Sequence, residues 1–246
     1  MNIITLNENN YLKEKFLLER DINLDILALL KNTNCYIAGG AITSVFSRNK
    51  INDYDIYFES EVDCRNFILK IPATYKLEWE TDSAKSYKIG ENRFQFIVKS
   101  SYMGTPSEIL NLFDFTICMG AYSFKNGSFY FYDNFFKDLS SKELIINING
   151  LYPLSTLFRL RKFIGKGYKI TGVEIIKLGL MIQKLDLTSY SQLREQLLGI
   201  DTAFLKELTD QLSRIEFKDT VYDFNKFIEM MDIYIAKNYS TIFDEN

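Results

Sequence analysis

The sequence predicts an α+β protein, with strands and flanking helices over residues 1–150 and an all-helical region over residues 151–246. Three observations lead there. The apolar run Cys35 to Ala38 stops at Gly39-Gly40, continues as the helically spaced Ala41, Ile42, Val45 and Phe46, and returns as an alternating segment from Asp53 to Phe58. This is strand–helix–strand patterning. A second stretch, residues 114–132, reads as two strands around Lys125-Asn126-Gly127, and Asn-Gly between apolar runs is a strong hairpin signal. Beyond Pro153 only helical periodicity remains, over residues 157–164, 173–184, 190–198, 202–212 and 221–236.

The other elements follow from local chemistry. Residues 1–10 are polar and read as a loose lead-in. Leu12, Phe16, Leu17, Leu24, Leu27 and Leu30 mark one or two helices, with Asn23 as an N-cap for the second. Ser60 caps a helix over residues 60–69, with Asp63 at its third position and Val62, Phe67 and Ile68 facing inward. Residues 76–99 place Trp79, Tyr87, Ile89, Phe94, Phe96 and Val98 in largely alternating positions, which gives one or two strands broken at Gly90-Glu91-Asn92. Thr105 and Pro106 open a short helix over residues 106–113. The run Phe129 to Tyr132 reads as alternating strand core.

Composition narrows the chemistry. With 47% hydrophobic residues, 20 Phe and 16 Tyr, the chain can bury a ring-rich core. Its net charge of −3 makes the whole molecule no general polyanion binder, so contact with nucleic acid must come from a local patch. There is no histidine, which excludes Ser-His-Asp and Cys-His catalysis, histidine phosphotransfer and histidine metal ligation. Cys35, Cys64 and Cys118 are widely spaced and form no CxxC pair, which argues against structural zinc and for a reducing cytoplasm. The first ten residues lack the basic and apolar regions of a secretory signal, and no run approaches the ~18 apolar residues of a membrane span.

The residues with the clearest chemistry are Asp53 and Asp55. On a strand, positions i and i+2 share a face about 7 Å apart. Two carboxylates so placed suit Mg²⁺, which takes oxygen ligands and keeps waters and phosphates in its shell. Upstream, Gly39 and Gly40 open a helix whose N–H groups can meet an anion, and Ser44 lies one turn in. A phosphate cradle beside a metal-binding pair is what phosphoryl or nucleotidyl transfer needs.

The order CYIAGG, helix, DYDIYF resembles the head domain of the DNA polymerase beta-type nucleotidyltransferases, closest to the CCA-adding enzymes and bacterial poly(A) polymerases. A second segment, DFTICMGAYSFKNGSFYFYDNFFKDLSSKELIIN from Asp114 to Asn147, is similar to the family's next motif, and PLSTLFRLRKFIGKGY is similar to its arginine-rich helix. Together these cover roughly residues 35–170. The Gly-Gly-Ala-Ile-Thr-Ser and Asp-Tyr-Asp-Ile-Tyr-Phe variants are also similar to small nucleotidyltransferase-like proteins of phages and prophages. The resemblance implies a nucleotidyltransferase-fold mixed sheet. It also implies Mg²⁺-dependent transfer of a nucleoside monophosphate from an NTP, ATP or CTP first, to an acceptor hydroxyl, with RNA and in particular tRNA 3′ ends as first acceptor. Asp53 and Asp55 would hold the metal, and Gly39, Gly40, Ser44, Arg159 and Lys162 would meet the nucleotide.

The sequence departs from the pattern at three places. The family's third acid lies on a neighbouring strand, which here reads as Phe94 to Val98 with Gln95 as its polar position. Asp114 is the substitute base, on the expectation that it opens a strand beside the Asp53 strand. Leu112 and Phe113 stand where the family has two arginines. Thr156 stands at the acid of the base-selecting pair while Arg159 remains, so CCA addition is not implied. These departures leave a second expectation beside the enzyme, a degenerate fold member that binds nucleotide or RNA as a regulatory or phage accessory factor. Residues 153–173 carry five basic residues and no acid, with Arg159, Lys162 and Lys166 on one helical face. That face is either solvated or a triphosphate or RNA-backbone patch.

Overall fold

The computed structural model describes residues 2–197 together with Asn225, Ile228, Glu229 and Asp232. The chain divides into two units, residues 1–150 with 168–174, and residues 151–167 with 175–246. The helices expected over residues 202–212 and most of 221–236 lie outside the described residues.

The first unit runs β1 (Ile3–Asn7), α1 (Leu12–Glu19), α2 (Leu24–Asn32), β2 (Cys35–Ala38), α3 (Gly40–Phe46), β3 (Asp53–Phe58), α4 (Glu61–Ile68), β4 (Lys76–Glu80), β5 (Ala84–Ile89), β6 (Asn92–Ile97), α5 (Pro106–Leu110), β7 (Gly120–Ser123), β8 (Ser128–Tyr132) and α6 (Phe135–Ser141). One eight-stranded sheet has the order β1-β8-β7-β2-β3-β6-β5-β4. The β3–β6 pair is parallel, and the other pairs are antiparallel. The protein is thus α+β, a mixed sheet with helices, and helices continue in the second unit.

Local chemistry sets the helix starts. Asn23 Oδ1 accepts the Asp25 N–H at 2.8 Å, and Ser60 Oγ accepts the Asp63 N–H at 3.1 Å. Thr105 and Glu108 close a reciprocal capping box around Pro106, satisfying N–H groups that a helix start leaves without partners. On one face of the sheet Tyr54, Ile56 and Phe58 of β3 join Phe94 and Phe96 of β6, all fully buried, with Ile26, Leu30, Ile42 and Phe67 from the helices. Tyr54 and Phe94 stack at 4.9 Å between centroids. Burying each such side chain is worth about 1.5–3 kcal/mol, so this face anchors β3 and turns its alternate residues outward. On the other face Tyr36, Ala38, Met119 and Ala121 pack with Ile109 and Leu110 of α5.

Four expectations are corrected. The lead-in is not loose, since residues 3–7 form the edge strand β1 on β8. Tyr122 donates its hydroxyl hydrogen bond to Glu8 just beyond it. Residues 76–99 form three strands, because the chain also turns at Thr81 to Ser83, where Thr81 Oγ1 accepts the Ala84 N–H at 3.1 Å. Val62 is 65% exposed; α4 buries Phe67 as expected, with Cys64 in place of Val62, three residues apart on one face. Asp114 does not open a strand; it precedes a 3₁₀ turn at Thr116–Cys118, and β3 is flanked by β2 and β6.

The second unit holds α7 (Pro153–Gly165), most of α8 (Gly172–Gln183) and α9 (Tyr190–Leu197). Pro153 supplies the fixed φ suited to a first helical position. Ser155 Oγ donates to the Gln196 carbonyl at 2.5 Å, and Gln196 Nε2 donates to the Leu151 carbonyl at 2.9 Å, tying α9 to the start of α7. Among the described residues no helix is long and apolar enough to cross a membrane.

Candidate functional site

Strand alternation places Asp53, Asp55 and Tyr57 on one half-buried face of β3, with Tyr54, Ile56 and Phe58 buried behind them. The register across the sheet sets their neighbours. Asp55 stands opposite Ala38 of β2 and Gln95 of β6. The same row continues from Gln95 to Ser86 of β5 and Trp79 of β4. Asp53 stands opposite Arg93.

Arg93 is the residue that sequence reasoning missed. Its Nη1 lies 3.5 Å from Asp53 Oδ1, and its Nε donates to Glu78 Oε2 at 2.8 Å. That hydrogen bond holds the Glu78 carboxyl below its ordinary range. The order Glu78–Arg93–Asp53 therefore puts a fixed cation between two acids, one of them in the Asp-x-Asp pair. Gln95 lies beside Asp55, on the strand and at the position expected of it, and half-buried. No group of three or more carboxylates and thiols suited to a metal converges among the described residues.

Mg²⁺ can be tested against this donor set. Asp53 and Asp55 supply hard oxygens on an accessible face, which fits an ion that takes one or two carboxylates and completes its shell with water and phosphate. Among the described residues no cage of protein ligands surrounds them.

Gly39 caps α3 with φ 72°, a conformation that side-chain-bearing residues rarely adopt. Its N–H donates to the Gly120 carbonyl at 3.0 Å, so it serves the sheet and not an anion. Its carbonyl accepts from the Thr43 N–H at 3.0 Å and from Thr43 Oγ1 at 3.1 Å. Gly40 is exposed at the first position of α3, where a helix leaves its N–H without an internal partner. Ser44 is half-buried on the same helix.

Phe113 packs against this turn. A Cβ on Gly39 would meet Phe113 Cε2 at 3.0 Å, and the Phe113 and Tyr57 rings lie 5.4 Å apart. Asn147 holds the segment in place, with Nδ2 donating to the Asn111 and Phe113 carbonyls at 2.7 and 2.8 Å. Asp114 is buried; its Oδ1 accepts the Phe115 N–H at 3.0 Å, and its carbonyl accepts the Asn147 N–H at 2.8 Å.

Arg159 and Lys162 belong to α7 in the second unit. Arg159 and Lys166 both place their charge 5.9 Å from the centre of the Phe163 ring, within cation–π range. Thr156 is buried and donates to the Tyr152 carbonyl at 3.0 Å, a role internal to the helix.

The fold is shared with solved structures. A CCA-adding enzyme in complex with ATP aligns with 100% of this chain and 62% of its own, at a TM-score of 0.57 and 17% identity. The Thermotoga maritima CCA-adding enzyme complexed with tRNA aligns at 0.53 and 16% identity, over 100% of this chain and 63% of that one. A Gabija anti-defense 2 protein of Bacillus phage SPbetaL7 is 30% identical over 220 residues, which is 87% of this chain and 55% of that protein. The chain thus spans about half the length of that relative. Residues 7–142, the stretch that carries β2 to β8 and with them the Asp-x-Asp strand, match the model of the Gabija anti-defense 2 family, and the chain belongs to that family.

Proposed function

We propose that the chain counters the Gabija defence of a bacterial host, as its family name describes, and does so as a Mg²⁺-dependent nucleotidyltransferase in the reducing cytoplasm. The observation that carries the chemistry is the pairing of Asp53 and Asp55 on the accessible face of a strand whose other face is locked in the core. In this reading Asp53 and Asp55 hold the ion, and Gly40 and Ser44 at the start of α3 meet the terminal phosphates. Arg159 and Lys162 on α7 offer charge to an RNA backbone, with tRNA 3′ ends the first acceptor to test. The ion would supply charge neutralisation on the phosphates and a more acidic acceptor hydroxyl. The acceptor oxygen bonds to the α-phosphorus, the bond to the bridging oxygen breaks, and pyrophosphate leaves with that electron pair. Gln95 cannot take the hydroxyl proton, so the proton passes to water.

A specific observation favours a second reading. Gln95 stands beside Asp55 at the position expected of a third carboxylate, Arg93 stands beside Asp53, and Phe113 packs against Gly39. These features fit a degenerate fold member that binds a nucleotide or RNA without transfer.

One pair of measurements separates the two. Purified protein, Mg²⁺, α-labelled ATP or CTP and total RNA report transfer, and phage infection of Gabija-bearing cells reports protection. The enzyme reading expects labelled product, with the Asp53→Asn/Asp55→Asn protein losing both product and protection. Protection retained by the double variant, with no product from the wild type, leaves the binding reading in its place.

A further inference from the structure

We propose that Arg93 is a built-in cation of the Asp-x-Asp site, standing where a second divalent ion would otherwise sit, so that Asp53 and Asp55 hold a single ion. This inference rests on the reading of those two acids as ion ligands. Its ground is the register. Arg93 is the direct neighbour of Asp53 across the one parallel strand pair, with Nη1 3.5 Å from Oδ1. Glu78, on the edge strand, accepts from Nε at 2.8 Å and fixes the guanidinium from the far side.

Charge counting leads to the same place. Two-ion sites hold their ions about 3.5–4 Å apart and need enough carboxylates to offset four positive charges. Here two acids face the site, no third joins them among the described residues, and one already faces a guanidinium. A second divalent ion beside Asp53 would meet both the first ion and Arg93 at short range. A guanidinium keeps its charge at every accessible pH and offers several donors in a fixed plane, so it can neutralise an anionic ligand at the place where that ion is missing. Glu78 has a defined part: by holding Nε it leaves the Nη end of the plane directed at Asp53, making it a positioning residue for Arg93.

Mn²⁺ titration followed by the electron paramagnetic resonance of the free ion, with metal alone and no nucleotide, tests this on the full chain, with circular dichroism to verify folding. The wild type is expected to bind one Mn²⁺ per chain. Arg93→Gln should bind on the order of tenfold tighter, because one nearby repulsive charge is gone, whereas Arg93→Lys should stay close to wild type. Glu78→Gln should shift the affinity in the same direction as Arg93→Gln and by less, since Arg93 is then held less firmly at Asp53. Two ions bound by the wild type, or unchanged affinity in Arg93→Gln, overturns the inference. A wild type that binds no Mn²⁺ overturns it as well. Asp53→Asn/Asp55→Asn separates the layers. Undiminished Mn²⁺ binding in that protein removes the ion site itself, while lost binding there with no effect of Arg93→Gln removes only the role given to Arg93.

Discussion

The ring of Phe113 rests against the Cα of Gly39, at 3.0 Å from where a Cβ would stand. Gly39 also has φ 72°, so two independent penalties meet at one residue. Gly39→Ala should destabilise the protein by about 2 kcal/mol, from backbone strain of ~1–3 kcal/mol plus the contact. In a Phe113→Ala background the cost of the same change should fall without vanishing, because only the contact is relieved. Urea unfolding of the four proteins measures this, and equal costs in both backgrounds would remove the contact from the account.

Mg²⁺ with ATP or CTP should raise the melting temperature of the wild type, since a ligand bound only by the folded state stabilises it by about 2.7 kcal/mol at 100 times its Kd. Asp53→Asn/Asp55→Asn should lose most of that shift while keeping its own melting temperature close to wild type, because both side chains are only half-buried. Equal shifts in the two proteins place the ion elsewhere.

Gln95 stands beside Asp55 in the parallel register. If transfer occurs without a base, Gln95→Glu adds a carboxylate where the acceptor proton leaves and should speed transfer, up to the ~10²-fold that general-base assistance begins to supply. The gain should appear in kcat and grow with pH through the range where the new acid ionises. A slower Gln95→Glu enzyme would mean that the proton already has another route.

On α7, reversing Arg159, Lys162 and Lys166 to Glu should weaken RNA binding and flatten its dependence on salt, because fewer counterions are released. Fluorescence anisotropy at several salt concentrations gives both numbers. An unchanged slope returns these residues to a solvated helix face.

Glu8 gives the pH dependence. Burial works to raise its carboxyl, but hydrogen bonds from Lys15 and Tyr122 outweigh this and hold it below its ordinary value of 4.5. A depressed folded-state value means stability that is complete above the unfolded value and lost as pH falls through the folded one. Glu8→Gln should therefore cost about 1 kcal/mol at pH 7, shifting Tm by roughly 2–4 °C, and the gap to wild type should close as pH falls through the depressed folded-state value. A gap that persists at low pH would assign the loss to packing.

What the sequence revealed depended on how far each signal reaches along the chain. Asn126-Gly127, Ser60 with Asp63, and Thr105 with Pro106 act within four residues, and each formed the turn or cap expected of it. Asp53 and Asp55 were legible because strand period is local. β1 was not, because five mixed residues at a sheet edge are stabilised by β8, far away in the chain. Arg93 was invisible for the same reason: its place opposite Asp53 follows from a parallel register between segments 40 residues apart. Asp114 misled because a short extended lead-in and a 3₁₀ turn carry the same apolar neighbours as a strand.

The pairing of β1 with β8 has a consequence during synthesis. Ile3 leaves the ribosome long before its partner Tyr132 has been made, and at ~5–20 residues per second the wait is on the order of ten seconds. Over that interval the nascent strand has no sheet to join, while the segments carrying Asp53 and Arg93 emerge and can find each other. β1, made before the strand it pairs with, can therefore be among the last to be sealed. Until it is, the edge of β8 stands open to any other strand that reaches it.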